Sequence, residues 1–292
     1  EILTKYIIKQ ERQKPNMIRL GKSYVDLLII GDLHGDLKST VKVTKPFLEE
    51  KVGSILFLGD FVDRGNHSLV VLCYLFALAI SWPDRIQLLK GNHEDLNLNR
   101  RYGFEKELRA LYPKNQEFNQ VIDLLDEIYN NLSICAITPQ SSFCCHGGVP
   151  AEFDSLEDFT LIPKPHSDLA SIRDMDLQLK LITIFQQICW NDPLENQKDN
   201  FEFSIRGPGI FTFNEEATKI FLEKTNCVRL IRAHESSRGG FQLLFNGKLL
   251  HIFSSQPYHG KIKQAYVIHE TREGKTYLRQ INFNLDREIV RD

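Results

Sequence analysis

Residues 54–65 read SILFLGDFVDRG, and this stretch decides the fold. Residues 54–58 are an apolar run too short for a helix, and they stop at Gly59-Asp60, a pair that marks a strand end. Working outward, YVDLLII (24–30) stops in the same way at Gly31-Asp32, and RIQLLK (85–90) stops at Gly91-Asn92-His93-Glu94. Helix-like stretches at 37–50 and 68–80 lie between these runs. Alternation of strand and helix is the order of a parallel α/β unit, in which polar residues gather beyond the carboxyl ends of the strands.

Further along, the pattern predicts a helix through 124–129 and strands at 133–138 and 141–145, the second running into His146-Gly147-Gly148. Residues 154–208 read as loop and helix, with 177–188 the clearest helix. A helix near 214–224 precedes a strand at 227–231, which runs into Arg232-Ala233-His234-Glu235. The last strands are 241–245, 248–253, 264–269 and 277–283, with Asn246-Gly247 as a hairpin turn. Strands of mixed direction with helices outside predict a sandwich of two sheets. Repeats and long Gly/Ser linkers are absent, so residues 24–292 are expected to form a single domain behind an N-terminal extension, 1–23.

Of 292 residues, 42% are hydrophobic and 25% charged, the balance of a globular chain able to bury a core. Thirty-six Lys and Arg against 38 Asp and Glu leave a net charge of −2, so no global field draws nucleic acid or an anionic bilayer to it. The longest apolar run, 69–80, falls short of the roughly 20 residues that span a membrane. No basic start followed by an apolar stretch and a small-residue cleavage site is visible in 1–22, so a cytoplasmic location is expected. The six cysteines (73, 135, 144, 145, 189, 227) lack C-x-x-C spacing and read as reduced, buried thiols.

Five clusters share one design, an apolar run ending in a Gly-containing or His-bearing turn: GDLHG (31–35), GDFVDRG (59–65), GNHE (91–94), HGG (146–148) and RAHE (232–235). Loops at strand ends converge on one rigid base, which would gather Asp32, His34, Asp60, Asp63, Arg64, Asn92, His93, His146 and His234. Carboxylate, imidazole and amide oxygen together suit a hard-to-borderline divalent ion. Two ions about 3.5–4 Å apart, sharing one carboxylate, activate water and clamp phosphoryl oxygens on both sides of an in-line displacement. A single Asp-His-Gly turn is commonly only a helix cap or loop punctuation. Five in this order are not explained by turn chemistry.

The ordered set resembles the metal-dependent phosphoprotein phosphatase family, the serine/threonine protein phosphatases related to types 1, 2A and 2B. The resemblance runs from about residue 24 to 283 and extends to ICWNDP (188–193), IRGPGIFTF (205–213) and FSSQPYHG (253–260). It implies a metallophosphatase-like β-sandwich of two mixed sheets flanked by helices on both faces, with the metal site at one edge. It further implies one ion held by Asp32, His34 and Asp60, and a second held by Asp60 as bridge with Asn92, His146 and His234. Arg64 and Arg206, assisted by Asn92, would grip the phosphate, Tyr258 would line the site, and His93, oriented by Asp63, would protonate the leaving alkoxide. The implied reaction is hydrolysis of phosphoserine and phosphothreonine in proteins by direct attack of a metal-bridging hydroxide, with no phosphoenzyme. The cofactors are two divalent ions, manganese first, with iron or zinc as alternatives. The expected partner is a phosphorylated protein substrate, with no nucleic acid and no membrane; a regulatory subunit is left unassigned.

The chain departs from the family pattern at Asp95-Leu96-Asn97 after GNHE, at Gln256-Pro257, and at His259, where several members carry Cys. The missing Cys predicts no covalent capture by a Cys-directed toxin such as a microcystin. Lacking a long regulatory tail, the chain reads as a compact catalytic unit of prokaryotic, archaeal type. Blander readings attach to His67 (a helix start), to His166, His251 and His269 (partnered or solvated), to Trp190, Phe211 and Phe213 (packing beneath the site) and to Arg100-Arg101 (a solvated face). Two other functions stay open at this point. A dinucleoside-polyphosphate or other small phosphoester hydrolase shares the first four clusters, and a silent relative would bind phosphoprotein as a scaffold.

Overall fold

The computed structural model describes residues 2–21, 23–24, 26–236, 239–256 and 266–280, and the backbone of 286–288. The first half runs α1 (Ile2–Gln13), β1 (Met17–Arg19), β2 (Leu27–Ile30), α2 (Leu37–Leu48), β3 (Ser54–Phe57), α3 (Ser68–Ser81), β4 (Ile86–Leu88), α4 (Leu96–Tyr102), α5 (Phe104–Leu111) and α6 (Asn115–Tyr129). There follow β5 (Cys135–Ile137), β6 (Ser142–Cys145), α7 (Glu157–Leu161), α8 (Met175–Trp190), β7 (Asp192–Pro193), β8 (Phe201–Phe203), β9 (Phe211–Phe213) and α9 (Glu215–Thr225). The chain then adds β10 (Arg229–Arg232), β11 (Phe241–Leu244), β12 (Leu249–Ile252), β13 (Tyr266–Glu270), β14 (Thr276–Gln280) and β15 (Asp286–Glu288).

Two six-stranded mixed sheets result, in the orders β1-β5-β6-β10-β12-β11 and β15-β14-β13-β2-β3-β4, beside a small sheet β7-β9-β8. Strand alternation explains why they stack. Leu27 and Ile29 of β2 and Leu56 of β3 point inward to meet Ala136, Cys144, Ile231, Leu250 and Ile252 of the opposite sheet. Their neighbours Leu28, Ile30, Ile55 and Phe57 point outward into a second core covered by α1, α2, α3, α5 and α6. On the far face, Phe143, Cys145, Leu230 and Leu249 pack beneath α7, α8 and α9. Strands buried on both faces read as unbroken apolar runs, and each Leu, Ile or Phe removed from water contributes about 1.5–3 kcal/mol. This is the α/β sandwich flanked by helices on both faces that the sequence predicts.

Several local expectations change. Residues 2–21, which read as mixed and polar, supply α1 and the edge strand β1, which pairs in parallel with β5. Ile7, Ile8 and Glu11 on one face of α1 are buried at helical spacing. Residues 96–111 form two helices that apolar periodicity does not announce. Asp95 caps α4 by accepting from the N–H groups of Asn97 and Leu98, and Gly103 (φ +116°) breaks it from α5. Cys73 is exposed rather than buried, because Val71, Leu72, Leu75 and Phe76 take the inward face of α3. Cys135, Cys144, Cys145 and Cys189 are buried and all six thiols are free. Among the described residues no helix is long and apolar enough to cross a membrane.

The ends of β3 and β4 approach so closely that only glycine fits. Gly59 has φ +107°, and a Cβ built on it would lie 2.2 Å from the backbone N of Gly91. Gly59→Ala is therefore expected to cost at least about 2 kcal/mol, combining left-handed backbone strain with a backbone clash. Urea unfolding checks it, and an unchanged midpoint would mean that the two loops are not held this close.

Candidate metal centre

The five motif loops meet beyond the strand ends, and backbone hydrogen bonds lock them together. The carbonyl of Asp60 accepts from the N–H groups of Leu33 and His34, tying GDFVDRG to GDLHG. The Glu94 carboxylate, fully buried, accepts from the N–H groups of Asp60 (2.8 Å), Phe61 (2.9 Å) and Gly91 (2.8 Å), tying GDFVDRG to GNHE. Ala233 N–H donates to the His146 carbonyl, and His234 N–H donates to Asp32 Oδ1 at 2.9 Å. His34, Asp60, Asp63, Arg64 and His234 all carry positive φ, which L-residues adopt at a cost of about 1–2 kcal/mol each. Strain of this kind persists where surrounding contacts over-determine the backbone.

Side chains from these loops present lone pairs to one space. Ligating atoms of His34, Asp60 and His93 lie within 4.8 Å of one another, as do those of Asp60, His146 and His234, so Asp60 belongs to both groups. His34 Nδ1 donates to the Val62 carbonyl (2.9 Å) and His146 Nδ1 to the Leu58 carbonyl (3.0 Å), which leaves each Nε2 facing inward. His34 Nε2 is 3.5 Å from Asp32 Oδ2 and 3.6 Å from Asp60 Oδ2, and His146 Nε2 is 3.3 Å from Asp60 Oδ2. The Asn92 side-chain oxygen faces acceptors, with His234 Nδ1 at 2.9 Å, His146 Nε2 at 3.0 Å and Asp60 Oδ2 at 3.2 Å. Asp32 Oδ2 and His234 Nε2 are buried without a hydrogen bond among the described residues. Inward lone pairs, orphaned polar atoms and a hard-to-borderline oxygen and nitrogen donor set fit divalent cations.

Charge balance without an ion points the same way. Burial opposes a charged His34, but the Asp32 carboxylate facing Nε2 at 3.5 Å and the charge of Asp60 outweigh it and raise the ring to about 9. Burial likewise opposes charge on His146, which Asp60 nevertheless pulls upward. Burial would raise the carboxyl of Asp60, yet the His146 and His93 rings hold it well below the ordinary range. His234 is pushed the other way, first by burial and then by Arg206, His146 and Arg232, so its ring is neutral and ready to ligate. Asp32 and Asp60 thus draw positive charge toward this space, a demand that a divalent cation would meet.

The centre opens into a cleft of about 310 Å³ lined by His34, Asp60, Arg64, Asn92, His93, Arg206 and His234, with Tyr102, Trp190 and Glu235 also at its walls. His93 Nδ1 donates to Asp63 Oδ2 at 2.7 Å, so its Nε2 is the nitrogen turned away from that carboxylate. The Arg64 guanidinium lies 3.7 Å over the Tyr102 ring. Arg206 Nε donates to Asp192 Oδ2, while the fully buried Arg232 donates to Asp192 Oδ1 (2.7 Å) and to the carbonyls of Gly147 and Asn191. Burial opposes charge on Asp192, but His234 and these two arginines hold its carboxyl far below the ordinary range.

The structure thus brings together Asp32, His34, Asp60, Asp63, Arg64, Asn92, His93, His146, Arg206 and His234; Tyr258 and His259 lie outside the described residues. Trp190 is a correction: half-buried at the end of α8, it lines the cleft and packs edge-on to His234 instead of lying beneath the site. His67 stands exposed at the start of α3 without capping it; Glu107 accepts from the N–H groups of Ser68 and Leu69 in its place. His166 and His251 are buried and bonded to Asn16 and to the Glu235 carbonyl. Sequence reasoning missed the parts played by Glu94, Asp192, Tyr102 and Arg232. Glu94, Asp192 and Arg232 stood inside quoted motifs, while Tyr102 ends a helix whose only sequence sign was the Asp95 cap.

Comparison with known proteins agrees with this geometry. A serine/threonine phosphatase from Saccharomyces cerevisiae with similarity to human phosphatase PP5 superposes with a TM-score of 0.78 at 25% identity, covering 100% of this chain and 89% of that one. A cold-active protein-tyrosine phosphatase of a psychrophilic Shewanella species shares the fold, with a TM-score of 0.63 at 18% identity over 97% of this chain and 84% of that one. The profile of the calcineurin-like phosphoesterase family, Metallophos, matches residues 25–237. The chain belongs to that family of metal-dependent phosphoesterases.

Proposed function

We propose that this phosphoesterase removes phosphate from phosphoserine and phosphothreonine in proteins. One observation carries the reading: two guanidinium groups, Arg64 and Arg206, face the same cleft as two groups of inward lone pairs that share Asp60. Asp32, His34 and Asp60 would hold one divalent ion, and Asp60, Asn92, His146 and His234 a second. When bound, such ions supply Lewis-acid charge that activates water and neutralises phosphoryl oxygens. The arginines would fix the phosphate by paired N–H···O bonds, with Asp192 tethering Arg206 in place. His93, its Nδ1 held by Asp63, would give a proton from Nε2 to the departing alkoxide.

Direct attack by water, without a phosphoenzyme, is supported by the state of the thiols. No cysteine lines the cleft among the described residues. Burial pushes Cys189 up to about 12 and raises Cys144 and Cys145 as well, so none is a thiolate near neutral pH. The protein as substrate is supported by the surroundings of Arg206. Phe203 (84% exposed) and Ile205 (105% exposed) precede it in sequence, an apolar surface able to meet residues beside a phosphorylated side chain. The serine/threonine phosphatase similarity points the same way.

Two measurements test this. In equilibrium dialysis with manganese, the wild type is expected to bind two ions per chain, and Asp60→Asn to bind at least about tenfold more weakly, since one shared charge is lost; equal affinity of the two proteins would remove Asp60 from the centre. In a phosphate-release assay, the manganese-loaded wild type is expected to act on phosphoserine and phosphothreonine peptides, with Asp60→Asn slower by about a thousandfold or more. Turnover of phosphotyrosine peptides or diadenosine tetraphosphate with none of phosphoserine peptides would overturn the substrate assigned here.

A further inference from the structure

We propose that Asn99, braced from behind by Tyr129, is a positioning residue that aims the Asp63–His93 pair at the leaving oxygen. The inference rests on the reading of His93 as the proton donor. Asn99 lies on α4 and is 2% exposed. Its Nδ2 donates to Asp63 Oδ2 at 2.9 Å and to the His93 carbonyl at 2.8 Å, and its Oδ1 accepts from the Tyr129 hydroxyl at 3.1 Å. The amide orientation follows from these partners, since a carboxylate and a carbonyl on one side can only accept.

The contacts control the proton donor from two ends. Asp63 Oδ2 receives both the His93 ring and the Asn99 amide, while Asp63 Oδ1 receives the Phe104 N–H at 3.1 Å. The carboxylate is thereby stopped from rotating about its own axis. The second Nδ2 proton fixes the His93 backbone, so the ring's origin and its Nδ1 anchor are set by one amide group. Tyr129 ends α6, is 2% exposed, and sends its hydroxyl across to Asn99 on α4. Burial, with the charges of Glu94 and Asp63, holds its phenol well above the ordinary range, so it remains a donor. A buried amide that served folding alone would have no effect that varies with the leaving group. One that aims an acid matters in proportion to the need for that acid.

The experiment compares phenyl phosphate, whose phenolate leaves poorly unless protonated, with dinitrophenyl phosphate, whose leaving group needs no proton. For Asn99→Leu, kcat on phenyl phosphate is expected to fall by about thirtyfold or more and on dinitrophenyl phosphate by no more than about threefold, with KM little changed, because general-acid assistance carries about a hundredfold or more. Tyr129→Phe, which removes only the hydroxyl, is expected to shift the same ratio in the same direction by about threefold to tenfold. Equal losses on the two esters, or no loss on either, would overturn the proposal. If Asn99→Leu does not fold, the ratio for Tyr129→Phe decides. Inactivity of the wild type on phosphopeptides would overturn the substrate assignment and leave this ratio measurable.

Discussion

Asp60 is the residue through which the whole site is held. Its backbone carbonyl takes two N–H groups from the loop after β2, its N–H goes to Glu94, and its Oδ1 takes the His93 N–H at 2.8 Å. That leaves Oδ2 facing His34 on one side and His146 on the other. The residue adopts φ +56° to do this, next to a glycine at +107°. Three loops thus converge on one peptide unit, and the strain of that unit is offset by bonds from every side.

Electrostatics explain why the surrounding residues are where they are. A carboxylate without compensation in a buried setting is costly, and removing its partner commonly destabilises by about 3–5 kcal/mol. Here each acid is met by cations or N–H donors: Asp60 among imidazoles, Asp192 between Arg206 and Arg232, Asp63 between His93 and the Asn99 amide. Among the described residues Asp32 Oδ2 and His234 Nε2 have no hydrogen bond, only the charge of His34 Nε2 at 3.5 Å and of Asp192 Oδ1 at 3.9 Å. Divalent cations, as the family uses, would meet that deficit.

Around this interior the cleft walls differ in character. Tyr102 and Trp190 are aromatic, Arg64 and Arg206 cationic, and the small sheet beside Arg206 ends in the exposed Phe203, stacked on Phe211 at 5.1 Å. The buried donors set the reaction class, whereas the walls set which esters reach it. Phosphatases of different specificity share the fold for this reason, and on this chain Phe203 and Ile205 stand exposed just before Arg206.

The strands that lead into the motifs and the chemistry of the loops were legible in the sequence because both are local, whereas α1, β1, α4, α5 and the small sheet from β7 to β9 were not. Apolar runs ending in Gly-Asp or Gly-Asn define strand ends, and each motif carries its own donors within a few residues. The strand order was not legible, since a strand buried on both faces looks alike wherever it lies in a sheet. Nor was the edge role of β1, because three residues carry no period. Tertiary structure alone decided the parts that act across distance. Glu94 reaches a loop about thirty residues earlier, Asp192 joins an arginine of a loop to one of β10, and Tyr129 reaches Asn99 from another helix. Their residue types are ordinary, and only the packing of two sheets and their covering helices turns buried carboxylates, an amide and a phenol into supports for one site.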